Sequence, residues 1–226
     1  MKKLFVLSFA LLSLQLSAQE VGLAFSYFLP RNGYFSTPIS PFSIRGIGRD
    51  LNKFIALETG ASLYRMSGLN IIDASFESKK PMTGPAFTIF VPAEIVFQFK
   101  GRKAEFDIKG GGFAFYSFAQ KLNYGNIDRA VKEWKGWEVA NTNLDYPNKI
   151  GFGYHAGVEL SFTVTRQWGF SLEANYLMGS SKIPLSGSLV GADASGALYR
   201  ETVDEPNAKV DFTGFEFSIG INLTGR

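Results

Sequence analysis

Apolar residues return at every second position along most of this 226-residue chain, and a period of two marks extended strands with two unlike faces. The clearest run sets Phe87, Ile89, Val91, Ala93, Ile95, Phe97 and Phe99 against Thr88, Phe90, Pro92, Glu94, Val96, Gln98 and Lys100. Tyr154, Ala156, Val158, Leu160, Phe162 and Val164 stand opposite Gly153, His155, Gly157, Glu159, Ser161 and Thr163 in the same way. So do Phe215, Phe217, Ile219, Ile221 and Leu223 opposite Glu216, Ser218, Gly220 and Asn222. Weaker copies cover 21–29, 42–48, 55–66, 104–118 and 168–178, which makes eight strands. Val210 and Phe212 are out of phase with Phe215 onward, predicting a bulge near Thr213–Gly214 or a strand that begins above the apolar band. Short links near 49–53, 101–103 and 166–167 alternate with long ones near 30–41, 67–85, 119–149 and 179–209. Short turns on one side and long loops on the other predict an all-β, antiparallel up-and-down transmembrane barrel with periplasmic turns and extracellular loops.

Period two alone does not say which face is outside, because a soluble lipocalin-like barrel also has eight strands, with its apolar residues inside. The opposite face decides. Turned outward, Gly22, Ala24, Gly60, Ser62, Gly111, Phe113, Phe115, Gly153, Gly157, Ser218 and Gly220 would make a soluble surface with few lysines. Turned inward, small residues and isolated acids suit a narrow lumen. Tyr27, Tyr116, Phe118, Tyr154, Trp168 and Tyr176 lie near strand ends, as an interfacial aromatic girdle requires. A mean hydropathy of +0.03 with 22 Phe is then the average of a lipid face, a polar lumen and long polar loops.

Residues 1–18 carry Lys2 and Lys3, an apolar run from Leu4 to Leu14, and Ser17–Ala18. This is the layout of a cleaved secretory signal peptide, followed by a barrel domain over 19–226. The run is too short for a membrane-spanning helix. Loss of the two lysines leaves 21 of the 23 basic residues against 20 acidic ones, so the basic balance gives no support to nucleic-acid binding. With Cys 0, disulfides, thiolate zinc sites, cysteine nucleophiles and lipidated cysteines are excluded.

The stretches FIALETGASLY (54–64), AFTIFVPAEIVFQF (86–99) and FEFSIGINL (215–223), with the leader and the loop asymmetry, resemble the small eight-stranded outer-membrane β-barrels of the OmpA/OmpX and OmpW type, particularly those of Bacteroidota. The resemblance covers residues 20–226. It implies an integral protein of the Gram-negative outer membrane, surrounded by lipid and lipopolysaccharide, inserted by the barrel-assembly machinery and without enzyme activity. Such barrels often end on an aromatic residue. This chain ends Leu223-Thr224-Gly225-Arg226, so the insertion signal is expected in the strand that closes at Leu223.

Strand parity turns Glu58, Glu94, Glu105, Asp107, Lys109, His155, Glu159, Glu173 and Glu216 toward the lumen. Two roles fit them. The acids pair with Lys109, Arg45, Arg49 or Lys100 and with Tyr and Ser hydroxyls in a polar plug, or they line a path for ions or small solutes. The plug is favoured, since eight strands leave an interior just wide enough for side chains. His155 is the single histidine, and Ser161 lies about 20 Å along the same strand, so neither a catalytic triad nor a multi-histidine metal site is expected. Lys109-Gly110-Gly111-Gly112 lacks phosphate-loop spacing. No cofactor is expected.

Within 119–149, Asn126 or Asp128 is a candidate cap for a short helix that puts Ile127, Val131 and Trp134 on one stripe. Trp134 and Trp137 are candidates for contact with a partner or glycan, or else part of a helix folded over the barrel mouth. The acids Asp193, Glu201, Asp204 and Glu205 lack the spacing of a calcium loop and read as solvated charge. The chain is thus expected to be a non-catalytic structural or binding component that engages another envelope protein or complex. A narrow porin-like channel for small solutes or apolar molecules is the alternative.

Overall fold

The computed structural model describes residues 20–34, 43–165 and 167–224; the expected signal peptide lies outside them. In chain order the elements are β1 (Glu20–Pro30), β2 (Gly33–Tyr34), β3 (Ser43–Asp50), β4 (Ile55–Met66), β5 (Gly68–Leu69), β6 (Ile71–Ile72), β7 (Ala86–Lys100), β8 (Ala104–Phe118), α1 (Tyr124–Lys135), β9 (Val139–Asp145), β10 (Gly151–Thr163), β11 (Trp168–Lys182), β12 (Leu185–Ala192), β13 (Leu198–Glu205), β14 (Lys209–Asp211) and β15 (Gly214–Thr224). Eight of the strands form a ring: β1–β3–β4–β7–β8–β10–β11–β15 and back to β1, with every neighbouring pair antiparallel. Closure leaves no free sheet edge, the condition for crossing a bilayer with strands.

The short turns are set by local chemistry. Asn52 Oδ1 accepts from the Phe54 and Ile55 amides at 2.8 and 2.9 Å, an Asx turn. Thr165 Oγ1 does the same for Gln167 and Trp168, both at 3.2 Å, and the Gly101 amide donates to the Ala104 carbonyl at 2.8 Å. These turns define the periplasmic end.

The long connections fold back on the other end. β9, β12 and β13 make a separate three-stranded antiparallel sheet in the order β13–β12–β9, and α1 packs on β9. β14 extends the wall, pairing with β11 at Ser180–Lys182 and with β6 at Ile71–Ile72. The predicted change of phase before β15 is realised as a break at Phe212–Thr213. There the Phe212 amide donates to the Gly179 carbonyl at 2.9 Å and its ring enters the barrel. The core of the molecule is therefore at this extracellular end, where Leu69, Ile71, Phe76, Met82, Ile127, Val131, Leu144, Ile183, Leu185 and Leu189 form one buried cluster with the aromatic residues of the upper lumen.

The expected cap of α1 needs correcting. Asn123 is the N-cap, with Oδ1 accepting from the Asn126 amide at 3.3 Å. Asp128 instead ties the helix to β9, taking the Thr142 amide at 2.9 Å and its hydroxyl at 2.6 Å. Asn126 donates to the Pro81 carbonyl at 2.7 Å. The helix stops at Gly136, whose φ of 68° is the left-handed conformation glycine adopts without penalty.

Candidate functional site: the barrel exterior and the filled lumen

The outer face carries the exposed apolar residues that the alternation predicted. Leu23, Phe25, Leu57, Ile89, Val91, Ile95, Phe97, Ile108, Phe152, Val158, Leu172, Phe217, Ile219 and Ile221 are all exposed, in register around the ring. A continuous belt of this kind is unstable in water and stable in hydrocarbon. Tyr116, Phe118, Tyr154 and Trp168 stand exposed near the strand ends. This is an integral outer-membrane protein. No protein-family model matches the chain, and no curated protein matches it. Solved structures similar to it include outer membrane protein OprG from Pseudomonas aeruginosa, at 9% identity and a TM-score of 0.49 over 90% of this chain and 94% of that one. A major outer membrane protein from Thermus thermophilus has 10% identity and a TM-score of 0.43 over 90% and 98%. Neisserial surface protein A has 15% identity and a TM-score of 0.40 over 91% and 94%. The fold itself is defined by the hydrogen-bonded ring.

Inside the ring the lumen is layered. The middle holds a charge network centred on two bases. Arg45 of β3 donates from Nη1 to Glu173 at 2.8 Å and from Nη2 to Glu216 at 2.5 Å. Glu216 also accepts from the Tyr64 hydroxyl and, at 2.8 Å, from Asn175, whose Nδ2 bonds Glu173 at 2.8 Å as well. Lys109 of β8 pairs with Glu159, and stands 3.6 Å from Glu58 and 3.8 Å from Glu173. His155 Nε2 lies 3.4 Å from Glu94. A chain of hydroxyls from Ser62 through Ser43 and Ser26 to Ser218, at 2.6, 2.8 and 2.8 Å, runs along one wall. Buried charges are tolerable only with such partners.

Five of the nine predicted lumen residues meet in this network, Glu58, Lys109, Glu159, Glu173 and Glu216, and Glu94 and His155 form a pair of their own at 3.4 Å. The other two lie nearer the turns. Glu105 is at the periplasmic rim, 3.8 Å from Lys100, and Asp107 lines a cavity below the network. Arg45, Tyr64 and Asn175 hold the network together as much as any of the nine.

Above the network the lumen is aromatic, more so than the small residues and isolated acids expected of that face, although strand parity places Phe113 and Phe115 on it. Phe212 stacks on Phe28 at 4.6 Å and on Phe115 at 4.4 Å, and Phe90 packs on Phe113 at 4.9 Å. Glycines make the room. A Cβ on Gly153 would come within 2.4 Å of the Phe113 ring, so the ring occupies the space that a side chain on the neighbouring strand would fill.

The two loop tryptophans part company. Trp137 is buried, stacked on Tyr199 at 5.4 Å and lying so close to Gly191 that a Cβ there would sit 1.9 Å from the indole; it belongs to the cap's packing and is not free to touch a partner. Trp134 is 46% exposed, 6.3 Å from Phe76, with the Lys135 ammonium 4.1 Å from its ring. The helix buries Ile127, Ala130 and Val131, so its stripe ends one turn short of Trp134. In the β12–β13 connection, Asp193 accepts from the Ser195 hydroxyl at 2.6 Å and the Tyr199 hydroxyl at 2.8 Å. These bonds hold its carboxyl down at about 2 and push the Tyr199 phenol up. Glu201 pairs with Lys135 at 2.6 Å.

Proposed function

We propose that this protein is a non-conducting, non-catalytic barrel of the outer membrane whose working surface is its folded extracellular cap, engaging another envelope protein there. The observation that carries this reading is the filled lumen. Phe28, Phe90, Phe113, Phe115 and Phe212 close the barrel above an ionic layer whose bases are already committed to carboxylates. A solute would have to displace both, and cores packed this way are not fluid. The cap has the features of a recognition platform: ordered secondary structure, the exposed Trp134 ring, and Leu198 and Val139 turned outward.

Two measurements test the reading. In planar bilayers the protein should give no steady channels, and copurification in mild detergent should retain a second envelope protein that is lost when Trp134 and Leu198 are replaced by Ser. Steady conductance abolished by Glu94→Gln or Glu159→Gln would overturn it in favour of a narrow channel, and a barrel that always purifies alone would overturn the partner.

A further inference from the structure

β13 is an edge of the three-stranded sheet in the cap. Its register with β12 runs unbroken from Leu198 to Glu205, with neither bulge nor proline, so every second residue turns an amide and a carbonyl away from the sheet. These groups have no partner among the described residues. Such an edge is a template for another strand.

The side chains select that strand. Leu198, Arg200, Thr202 and Asp204 share the outer face and are all exposed. On the other face Val203 is buried against the cap and Glu201 pairs with Lys135, the one ion pair of β13 among the described residues. Arg200 and Asp204 are thus left to pair with something else. In an antiparallel pair, residues directly opposite each other are either both bonded across the gap or both not. Two copies of one edge turn the same residues outward, so the two-fold axis that relates them must pass a residue facing its own copy. Each choice of that residue is a register, and charge separates the choices. An axis at Arg200, Glu201 or Asp204 sets like charges against each other, and an axis at Val203 sets Glu201 against Glu205. With the axis at Thr202, Arg200 of each copy faces Asp204 of the other, the two threonines meet at the centre, and Tyr199 faces Glu205. The strand is complementary to itself in that register.

We infer that β13 is a self-association edge, through which two copies of this protein join antiparallel about an axis at Thr202 and continue their cap sheets into one. A contact between single strands is small, so the association is reversible. The axis stands normal to the sheet: an upright sheet joins copies in facing membranes, and a flat one joins neighbours in the same membrane. The contact neither needs nor replaces a second envelope protein at the cap.

Because the chain has Cys 0, single cysteines test the register directly. Thr202→Cys sets two thiols across the axis with Cβ atoms about 5 Å apart, within reach of a disulfide after a small adjustment. In the full chain reconstituted in lipid vesicles, mild oxidation should give a disulfide dimer. Two tagged forms, placed in the same vesicles or in separate vesicles that are then mixed, cover both arrangements. Ser186→Cys, exposed on the same face one strand in and opposite Asp204, should stay monomeric. Adding Arg200→Asp to Thr202→Cys should slow dimer formation about tenfold. Arg200→Asp together with Asp204→Arg exchanges the charges, keeps their complementarity, and should restore it. Heat-modifiable migration shows that each variant is folded. In outer membranes, a benzophenone on the Thr202→Cys thiol should capture a second copy. No dimer in either arrangement, equal oxidation of Ser186→Cys, indifference to the charge changes, or capture of a different protein in place of a second copy would each overturn the inference.

Discussion

At the scale of residues, the ionic layer concentrates the energetic stakes. Arg45 holds Glu173 and Glu216 together, and its side chain is 13% exposed. Arg45→Met would leave two buried carboxylates without their shared counter-charge, a loss of about 3–5 kcal/mol. Urea unfolding in lipid vesicles should show it, whereas Glu216→Gln, which keeps an acceptor for Tyr64, should cost less. A loss of under about 1 kcal/mol for Arg45→Met would mean that the network is not held by this pair. Asp193 gives a pH effect of known sign. Its carboxyl is depressed from 3.8 to about 2 by the Ser195 and Tyr199 hydroxyls, so the turn it organises is fully stabilised above about pH 4 and loses that support as pH falls through 2. Carboxyl resonances should titrate there, and Ser195→Ala should return the midpoint toward the ordinary range. The acids of the lumen were legible from parity alone, because each strand keeps its period. The aromatic layer was not, although Phe113 and Phe115 have lumen parity. What makes them a lid is a ring from Phe212, nearly a hundred residues on, and the glycine spaces on β10, and neither relation has a local sequence signal.

Elements show the same division. All eight wall strands and their alternating short and long links could be read from the sequence, since hydrophobic alternation and turn residues act within a few positions. The strands of the cap could not: β9, β12 and β13 pair with one another across loops and alternate only weakly. The helix was legible as a helix but not at its start, since three Asx residues stand close together and only tertiary contacts assign them. Asn123 caps, Asn126 reaches Pro81 and Asp128 reaches Thr142. Asn123→Ala should therefore cost about 1 kcal/mol of helix stability and speed hydrogen exchange at Asn126 and Ile127. Asp128→Ala should leave those amides protected while loosening the Thr142 amide on β9. Equal effects of the two would show that the cap is not at Asn123.

On the scale of the whole molecule, barrel and cap share one apolar core, continuous from Phe90 and Phe113 through Phe212 to Ile183, Leu185 and Val131. They should unfold together. Phe212→Ala removes the ring that joins them, and a large-to-small change at a fully buried Phe costs about 3–5 kcal/mol. Near-ultraviolet circular dichroism of the cap tryptophans and heat-modifiable migration of the barrel should coincide in the native chain and shift together in the variant. Two separate transitions in the native chain would show the halves to be independent.

The cap is assembled from several excursions of the chain, 67–85, 119–150 and 183–213, each anchored to the ring at both ends. Each has to cross the bilayer before it can meet the others, because its buried side chains find one another only on the far side. Their coming together adds to the cost of any return. To slip back, the barrel would first have to pull Phe76, Ile127, Leu185 and their neighbours apart into water and then carry unpaired backbone through hydrocarbon. Withdrawal of the barrel would therefore cost the burial of this whole cluster as well as that of the wall.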